Sequence, residues 1–224
     1  MPAELQTSRH HATLVLTLNG TNPLSLLQAD MHAAVIETLS TAESDRSVAA
    51  VVLNGLEGFS PAQGRTSSAA PLPEPLIEHL NDWVDAIQSF PKPVLAAVDG
   101  QIDGPGLSLM LACDLIVASR SSMMGASPAP GGGASWFLAH GLPRQLAMEM
   151  LTAADHVPAA RLHALGLINR LSDEGAALEL ALKWTEELAS DASRAEGIKT
   201  LLKESLHNSL TQQLAAEAKY RLES

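Results

Sequence analysis

The chain has 224 residues, of which 46% are hydrophobic and 17% are charged, and its formal net charge is −11. This length and apolar content allow a buried core, so we expect one domain with a small appendage and no wholesale disorder. The negative charge and the low aromatic content of 3% exclude an extended nucleic-acid surface, and no apolar run approaches the roughly 20 residues of a membrane span. We therefore expect no nucleic-acid partner and no membrane partner.

The N-terminal segment has no apolar h-region of a signal peptide, which predicts a cytoplasmic protein. The single cysteine, Cys113, excludes an intrachain disulfide and a cysteine-based zinc cluster. Because it lies in an apolar run, we expect a buried structural thiol. The histidines His10, His11 and His79 have no partner at a metal-binding spacing, so no metal site is expected.

The first third of the chain alternates short apolar strands with amphipathic helices. The expected elements are a strand at Thr13–Leu18, a helix at Leu27–Ser40, a strand at Val48–Leu53, a loop at Gly55–Gly64 and a helix over 76–87. The first of these helices is indicated by the four-residue spacing of Met31, Val35 and Leu39.

The stretch Pro91–Ser119 is the one around which the rest of the chain is organised. It predicts a strand at Val94–Val98, a loop with three glycines, a buried helix at Leu107–Cys113 and a strand at Leu115–Val117. A strand, a glycine-rich turn and a helix start place backbone N–H groups where an anion or a developing oxyanion can bind. The alternative is that these glycines only allow close packing.

The remaining chain is loop and helix. A loop is expected at Gly125–Ser135, helices at Trp136–Leu138, Leu146–Leu151 and Pro158–Leu165, and a strand at Leu167–Leu171. From Gly175 the composition is helical and rich in leucine. The element order predicts an α/β core over residues 1–174, followed by a helical region over 175–224 that packs on the core or on another subunit.

Several segments together resemble the crotonase superfamily (enoyl-CoA hydratase/isomerase). They are Val51–Gly55, Phe59-Ser60, Pro91–Gly100, Gly104-x-Gly106, Leu111–Ser119 and Ala164–Arg170, in matching order and spacing. The stretch 133–147 is most similar to the subgroup labelled oxepin-CoA hydrolase, alternative type. The resemblance implies a crotonase-like spiral of ββα units with a C-terminal oligomerisation region, assembled as a homotrimer or dimer of trimers. It also implies an acyl-CoA thioester as substrate, with coenzyme A part of that substrate and no separate cofactor.

Members of this superfamily hold the thioester carbonyl with two backbone N–H groups that stabilise an enolate. The resemblance places the first donor at Gln63, with Ser60 and Ala62 beside it as substrate-binding residues. The second donor falls on Pro105, which has no N–H, so a small register change would have to offer Gly106 instead. Further substrate contacts are implied at Gly104, Pro105, Gly131 and Gly132.

The carboxylates that relatives use for proton transfer are replaced here. Ser108 stands at one glutamate position, Ala126–Pro128 carry no carboxylate, and Gly131 stands where the subgroup has an aspartate. Asp103 is the one carboxylate between Gly100 and Gly106. It is a candidate acid or base, and equally a candidate N-cap of the following helix.

Other charged residues are expected to be structural, except for two candidates for CoA phosphate contacts, Lys92 and Arg144. Asp99 is expected in a local turn, and Asp114 is expected to bond to backbone. Two functions remain open: an acyl-CoA lyase or isomerase with a diminished oxyanion hole and Asp103 as acid, or a catalytically degenerate homologue with a structural or regulatory role.

Overall fold

The computed structural model describes residues 3–20, 22–60, 72–126, 131–152 and 156–223. Its strands are β1 (Glu4–His10), β2 (Thr13–Asn19), β3 (Ala50–Asn54), β4 (Val94–Val98), β5 (Gln101–Asp103), β6 (Leu115–Ser119), β7 (Met123–Gly125), β8 (Val157–Pro158) and β9 (Arg170–Ser172). Its helices are α1 (Pro23–Leu26), α2 (Ala29–Ser44), α3 (Glu74–Ser89), α4 (Gly104–Ala112), α5 (Ala134–Gly141), α6 (Arg144–Thr152), α7 (Ala159–Ala164), α8 (Ala177–Ala189), α9 (Ala192–Ser205) and α10 (Leu210–Glu223), with a 3₁₀ helix at Leu56–Phe59.

The strands form two sheets. The larger has the order β1-β2-β3-β4-β6-β9, in which β1 and β2 form an antiparallel hairpin and every later neighbour is parallel. Parallel neighbours require crossover connections, which the helices between these strands supply. The smaller sheet has the order β5-β7-β8 and lies beside the start of α4. The predicted α/β class is therefore confirmed.

Both faces of the large sheet are covered, and alternate residues of each strand serve opposite faces. In β4, Val94, Ala96 and Val98 join the main core with α2, α3 and α4. Leu95 and Ala97 belong to a second cluster beneath α8, where small alanines on the helix let it approach the sheet. Burial on both faces explains why β4 reads as a continuous apolar run.

The C-terminal helices differ in how they contact the rest of the chain. Helix α8 packs on the large sheet, whereas α9 has no fully buried residue. Helix α9 is attached through Lys199, whose Nζ lies 2.7 Å from Asp114 Oδ2 and also donates to the carbonyl oxygen of Lys92 at 3.1 Å. None of the described helices is long and apolar enough to cross a membrane.

Some local features depart from the sequence-based expectations. Strand β1 was not predicted, because its residues are mostly polar and exposed and it is held only by pairing with β2. The strand expected at Leu167–Leu171 begins only at Arg170, since the N–H of Leu167 instead closes α7 on the carbonyl of Leu162. Asp99 does not serve a local turn: its carboxylate accepts from the N–H groups of Gly175 and Ala177 and so caps α8.

Candidate active site

Helix α4 begins with Gly104, Pro105 and Gly106, directly after strand β5. Proline suits this position because the first helical N–H has no intrahelical partner and the fixed φ matches the helix. Gly104 takes a φ of 48°, a left-handed conformation that glycine adopts without strain. The helix therefore starts about three residues earlier than predicted and presents its N-terminal end at the edge of the small sheet.

The chain segment after β3 lies against this helix start. A Cβ atom added to Gly106 would lie 2.5 Å from the carbonyl oxygen of Leu56 and 3.2 Å from Cβ of Phe59. Ser60, the next residue, donates its hydroxyl to the carbonyl of Gln101 at 2.8 Å. The glycine at 106 is thus required for close packing, which is the alternative that the sequence left open for this turn.

The glycine loop before α5 reaches the same place. Ser108 Oγ donates to the carbonyl oxygen of Gly131 at 2.7 Å, so this loop is bonded to the first turns of α4. A Cβ atom on Gly132 would lie 2.8 Å from Cβ of Ser108 and 2.9 Å from Leu80. Ser108 therefore holds the glycine loop on α4, at the position where the resemblance implies a glutamate.

Ser60 is thus bonded to β5 just before α4, and Gly131 is bonded to α4 itself. That these residues bind substrate stays a prediction. Gln63 and Ala62 lie outside the described residues, so the first oxyanion donor stays a prediction. The absence of an N–H on Pro105 leaves Gly106 as the first-turn donor inside α4.

Asp103 is 5% exposed and occupies the N-cap position of α4, but its side chain makes no capping hydrogen bond to the helix. Its Oδ2 accepts from the side-chain amide of Gln101 at 2.7 Å, and its Oδ1 lies 2.5 Å from Nε2 of His156. Sequence reasoning missed His156 because it lies 53 positions away and no spacing rule connects the two. Only the register of the small sheet places them together.

Two other charged residues singled out from sequence, Lys92 and Asp114, have structural roles. Lys92 was a candidate for CoA phosphates, but it is 6% exposed and its Nζ donates to the carbonyls of Ala42 and Asp45 at 2.7 and 2.8 Å. It therefore closes the C-terminal end of α2, where a cation is favoured. Asp114 accepts from the N–H of Val94 at 2.7 Å, which confirms its predicted bond to backbone.

The pKa values of two further groups are shifted by their surroundings. Burial raises the pKa of the Cys113 thiol far above its usual range, as expected for an unreactive structural cysteine. Desolvation also raises the pKa of Glu57, on the 3₁₀ helix, and the nearby negative charge of Asp99 adds to this shift. Within the described ranges, no group of three or more acidic, histidine or cysteine side chains is arranged to hold a metal ion.

Comparison with known proteins identifies the family. The family model for enoyl-CoA hydratase/isomerase matches residues 8–223, so the chain belongs to that family, within the crotonase superfamily. Two curated relatives come from Escherichia coli K12. The 2,3-dehydroadipyl-CoA hydratase is 28% identical over 226 residues, covering 96% of this chain and 88% of the relative. The 1,2-epoxyphenylacetyl-CoA isomerase is 29% identical over 224 residues, covering 93% and 85%.

The solved structures agree. An enoyl-CoA hydratase from Polaromonas sp. JS666 is 34% identical and superposes with a TM-score of 0.80, over 98% of this chain and 90% of that one. The crotonase-like fold with its C-terminal helical region is thereby confirmed. The narrower likeness to the oxepin-CoA hydrolase subgroup stays a prediction.

Proposed function

We propose that the protein binds an acyl-CoA thioester at the N-terminal end of α4 and converts it through an enolate, as a lyase or isomerase. The observation that carries this proposal is that two loops are bonded at the start of α4, through Ser60 to Gln101 and through Gly131 to Ser108, in a member of the enoyl-CoA hydratase/isomerase family. The names of the two E. coli relatives, a hydratase and an isomerase of acyl-CoA compounds, support the substrate class.

The proposed reaction requires the site to stabilise the negative charge that develops on the thioester oxygen. The positive end of the α4 dipole and the N–H of Gly106 supply one side of an oxyanion hole, and the N–H of Gln63 would supply the other. Because Pro105 contributes no N–H, the donor at the start of α4 would be Gly106, one residue beyond the position that the resemblance implies. Coenzyme A enters as part of the substrate, and no separate cofactor is proposed.

A second candidate function is a catalytically degenerate homologue that keeps the scaffold for a structural or regulatory role. Two observations favour it. Pro105 removes the expected donor, and Ser108 uses its hydroxyl to hold the glycine loop where relatives have a carboxylic acid. Neither replacement disturbs α4, so the fold persists without the chemistry.

The C-terminal helices support assembly with further copies, as a homotrimer or dimer of trimers. Large apolar side chains along α9 and α10 are exposed in the single chain: Leu202 at 65%, Leu210 at 76% and Leu214 at 57%. A helical surface of this kind normally packs against a partner. Light scattering coupled to size-exclusion chromatography tests the proposal, and a monomer at micromolar concentration would refute it.

The experiment that separates the two functions is calorimetric titration with acetoacetyl-CoA, a thioester that resembles the enolate. Saturable binding by the wild type, weakened in Gly106→Ala, is the result expected of the proposed enzyme. Absence of binding at high ligand concentration would refute it. The Pro105→Gly/Gly131→Asp double variant then distinguishes the alternatives, because a gain of turnover over an inactive wild type indicates a degenerate enzyme.

A further inference from the structure

Asp103 and Gly125 lie on neighbouring strands of the small sheet, and His156 directly precedes the third strand, β8. Asp103 is the register partner of Gly125 in the parallel pair of β5 and β7. In the antiparallel pair of β7 and β8, Met124 faces Val157, and the same register continued by one residue places His156 opposite Gly125. Cross-strand partners carry their side chains on the same face of a sheet, so Asp103 and His156 flank a glycine.

The glycine is what permits the two side chains to meet. Strands two places apart in a sheet are separated by about 10 Å, and a side chain on the middle strand would normally fill that space. A Cβ atom at Gly125 would collide with Asp103 Oδ1 and would lie 2.8 Å from Cδ2 of His156. The carboxylate–imidazole contact of 2.5 Å therefore passes directly over Gly125.

The two side chains of the pair differ in how many of their polar atoms are hydrogen-bonded. Both oxygens of Asp103 are engaged, one by Gln101 and one by His156, and its side chain is 8% exposed. When the carboxylate is ionised it can only accept, so this hydrogen bond requires the proton on Nε2 of His156, and in a neutral imidazole the lone pair is then on Nδ1. No hydrogen bond to Nδ1 is seen among the described residues, and the imidazole side chain is 16% exposed.

The pair also lies where the segments of the proposed site begin. Asp103 directly precedes Gly104, the first residue of α4, and Gly125 directly precedes the segment that returns to α4 at Gly131. Where relatives use carboxylic acids at two other positions, this chain has Ser108 and Gly131. An oriented imidazole is thus bonded to the residue that directly precedes α4, in a chain that lacks the usual carboxylates.

We propose that His156 is the general base of this site and that Asp103 is the positioning residue that holds its tautomer and orientation. This inference rests on the proposed function. In the step concerned, the Nδ1 lone pair takes the α-proton of the thioester, and the electrons of the broken C–H bond move through the carbonyl group onto oxygen, forming the enolate. The resulting imidazolium keeps its Nε2–H bond to the Asp103 carboxylate and returns the proton from Nδ1.

The test measures α-proton exchange, which needs no knowledge of the natural acyl chain. Butyryl-CoA is incubated with enzyme in deuterium oxide, and deuterium incorporation is followed by mass spectrometry. His156→Gln is expected to lower the exchange rate at saturation by about 100-fold with little change in acetoacetyl-CoA affinity. Added imidazole is expected to restore part of the rate in His156→Ala, which a purely structural histidine would not show. His10→Gln, on the exposed edge strand, is the matched control and should exchange like the wild type.

Gly125→Ala and Asp103→Asn examine the positioning role, because each disturbs the pair while retaining the imidazole. Both should lower the exchange rate, and thermal melting with acetoacetyl-CoA titration shows whether the variants remain folded. If the wild type binds acetoacetyl-CoA but exchanges no deuterium, or if His156→Gln exchanges like the wild type, this inference is overturned while the binding function stands. If the wild type does not bind acetoacetyl-CoA, the proposed function fails and the inference fails with it.

Discussion

Replacing Lys199 by methionine should destabilise the protein by about 3 kcal/mol at neutral pH. Lys199 Nζ on α9 makes two short hydrogen bonds, to the Asp114 carboxylate at 2.7 Å and to the carbonyl of Lys92 at 3.1 Å, beside a longer one to the carbonyl of Ile87 at 3.4 Å. Hydrogen bonds from a charged group contribute about 1.5 kcal/mol or more each, which gives about 3 kcal/mol for the two. Removing one partner of a fully buried ion pair costs about 3–5 kcal/mol, and this pair is only partly buried, with the Asp114 side chain 24% exposed, so the loss should not exceed the lower end.

The loss should depend on pH with a definite sign. Burial raises the pKa of Asp114 above its unfolded value, and Lys199 partly opposes that rise. A raised folded pKa means that the native state binds this proton more readily than the unfolded chain does, so ionised Asp114 weakens the fold as pH rises above 3.8. The variant, lacking the cation, should lose most stability where Asp114 is ionised and progressively less as the pH falls toward 3.8.

The assay is urea unfolding followed by circular dichroism, at fixed protein concentration, at about pH 7 and about pH 4.5. Lys183→Met is the control, because Lys183 pairs with Glu179 on the surface of α8 and both side chains are about two-thirds exposed. That variant should unfold like the wild type. A Lys199→Met variant that is as stable as the wild type, or whose loss is the same at both pH values, would contradict the reasoning.

Three further outcomes are expected. Gly106→Ala should lower the free energy of unfolding by about 2 kcal/mol, because the added Cβ atom meets the carbonyl oxygen of Leu56. Gly131→Ala should change it by less than about 0.5 kcal/mol, because its Cβ atom has no neighbour nearer than 3.8 Å among the described residues. Equal melting curves for the two variants would contradict the packing argument. Lys92→Met should lower the free energy of unfolding in urea by about 2 kcal/mol, because the ammonium bonds the last carbonyls of α2, and should leave the affinity for acetoacetyl-CoA unchanged. Weaker binding with unaltered stability would instead indicate that Lys92 contacts the CoA phosphates. Burial and a raised pKa should protect the Cys113 thiol from a thiol reagent in the native protein, so that full labelling occurs only after unfolding. Rapid labelling of the native protein would contradict the burial of Cys113.

The proposed pair of His156 and Asp103 changes how the missing family acids are understood. Taken one position at a time, Pro105, Ser108 and Gly131 indicate loss of function. Ser108 and Gly131 now bond to each other and hold the glycine loop on α4, so they have a structural reason of their own. Whether chemistry persists then depends on a group outside the family's motif positions, which is why proton exchange is more informative than motif matching.

The sequence by itself determined the elements whose burial leaves a periodic signature. Strand β4 was predicted with its observed bounds, because a strand covered on both faces is apolar at every position. Helix α3 was predicted from the spacing of Leu76, Leu80 and Trp83, all of which are buried. The substrate-binding set rests on the resemblance and stays a prediction, although Ser60 is bonded beside the start of α4 and Gly131 is bonded to that helix.

Only the tertiary structure decided the features that depend on contacts between distant residues. The three short strands of the small sheet carry no period long enough to recognise, so the meeting of Asp103 and His156 across Gly125 could not be foreseen. A lysine is normally expected on the surface, and only the packing of α2 beside Lys92 buries it, where its ammonium bonds the C-terminal end of that helix. The local sequence indicates which side chains are buried, whereas the partner of a buried polar group depends on which distant segment of the chain packs beside it.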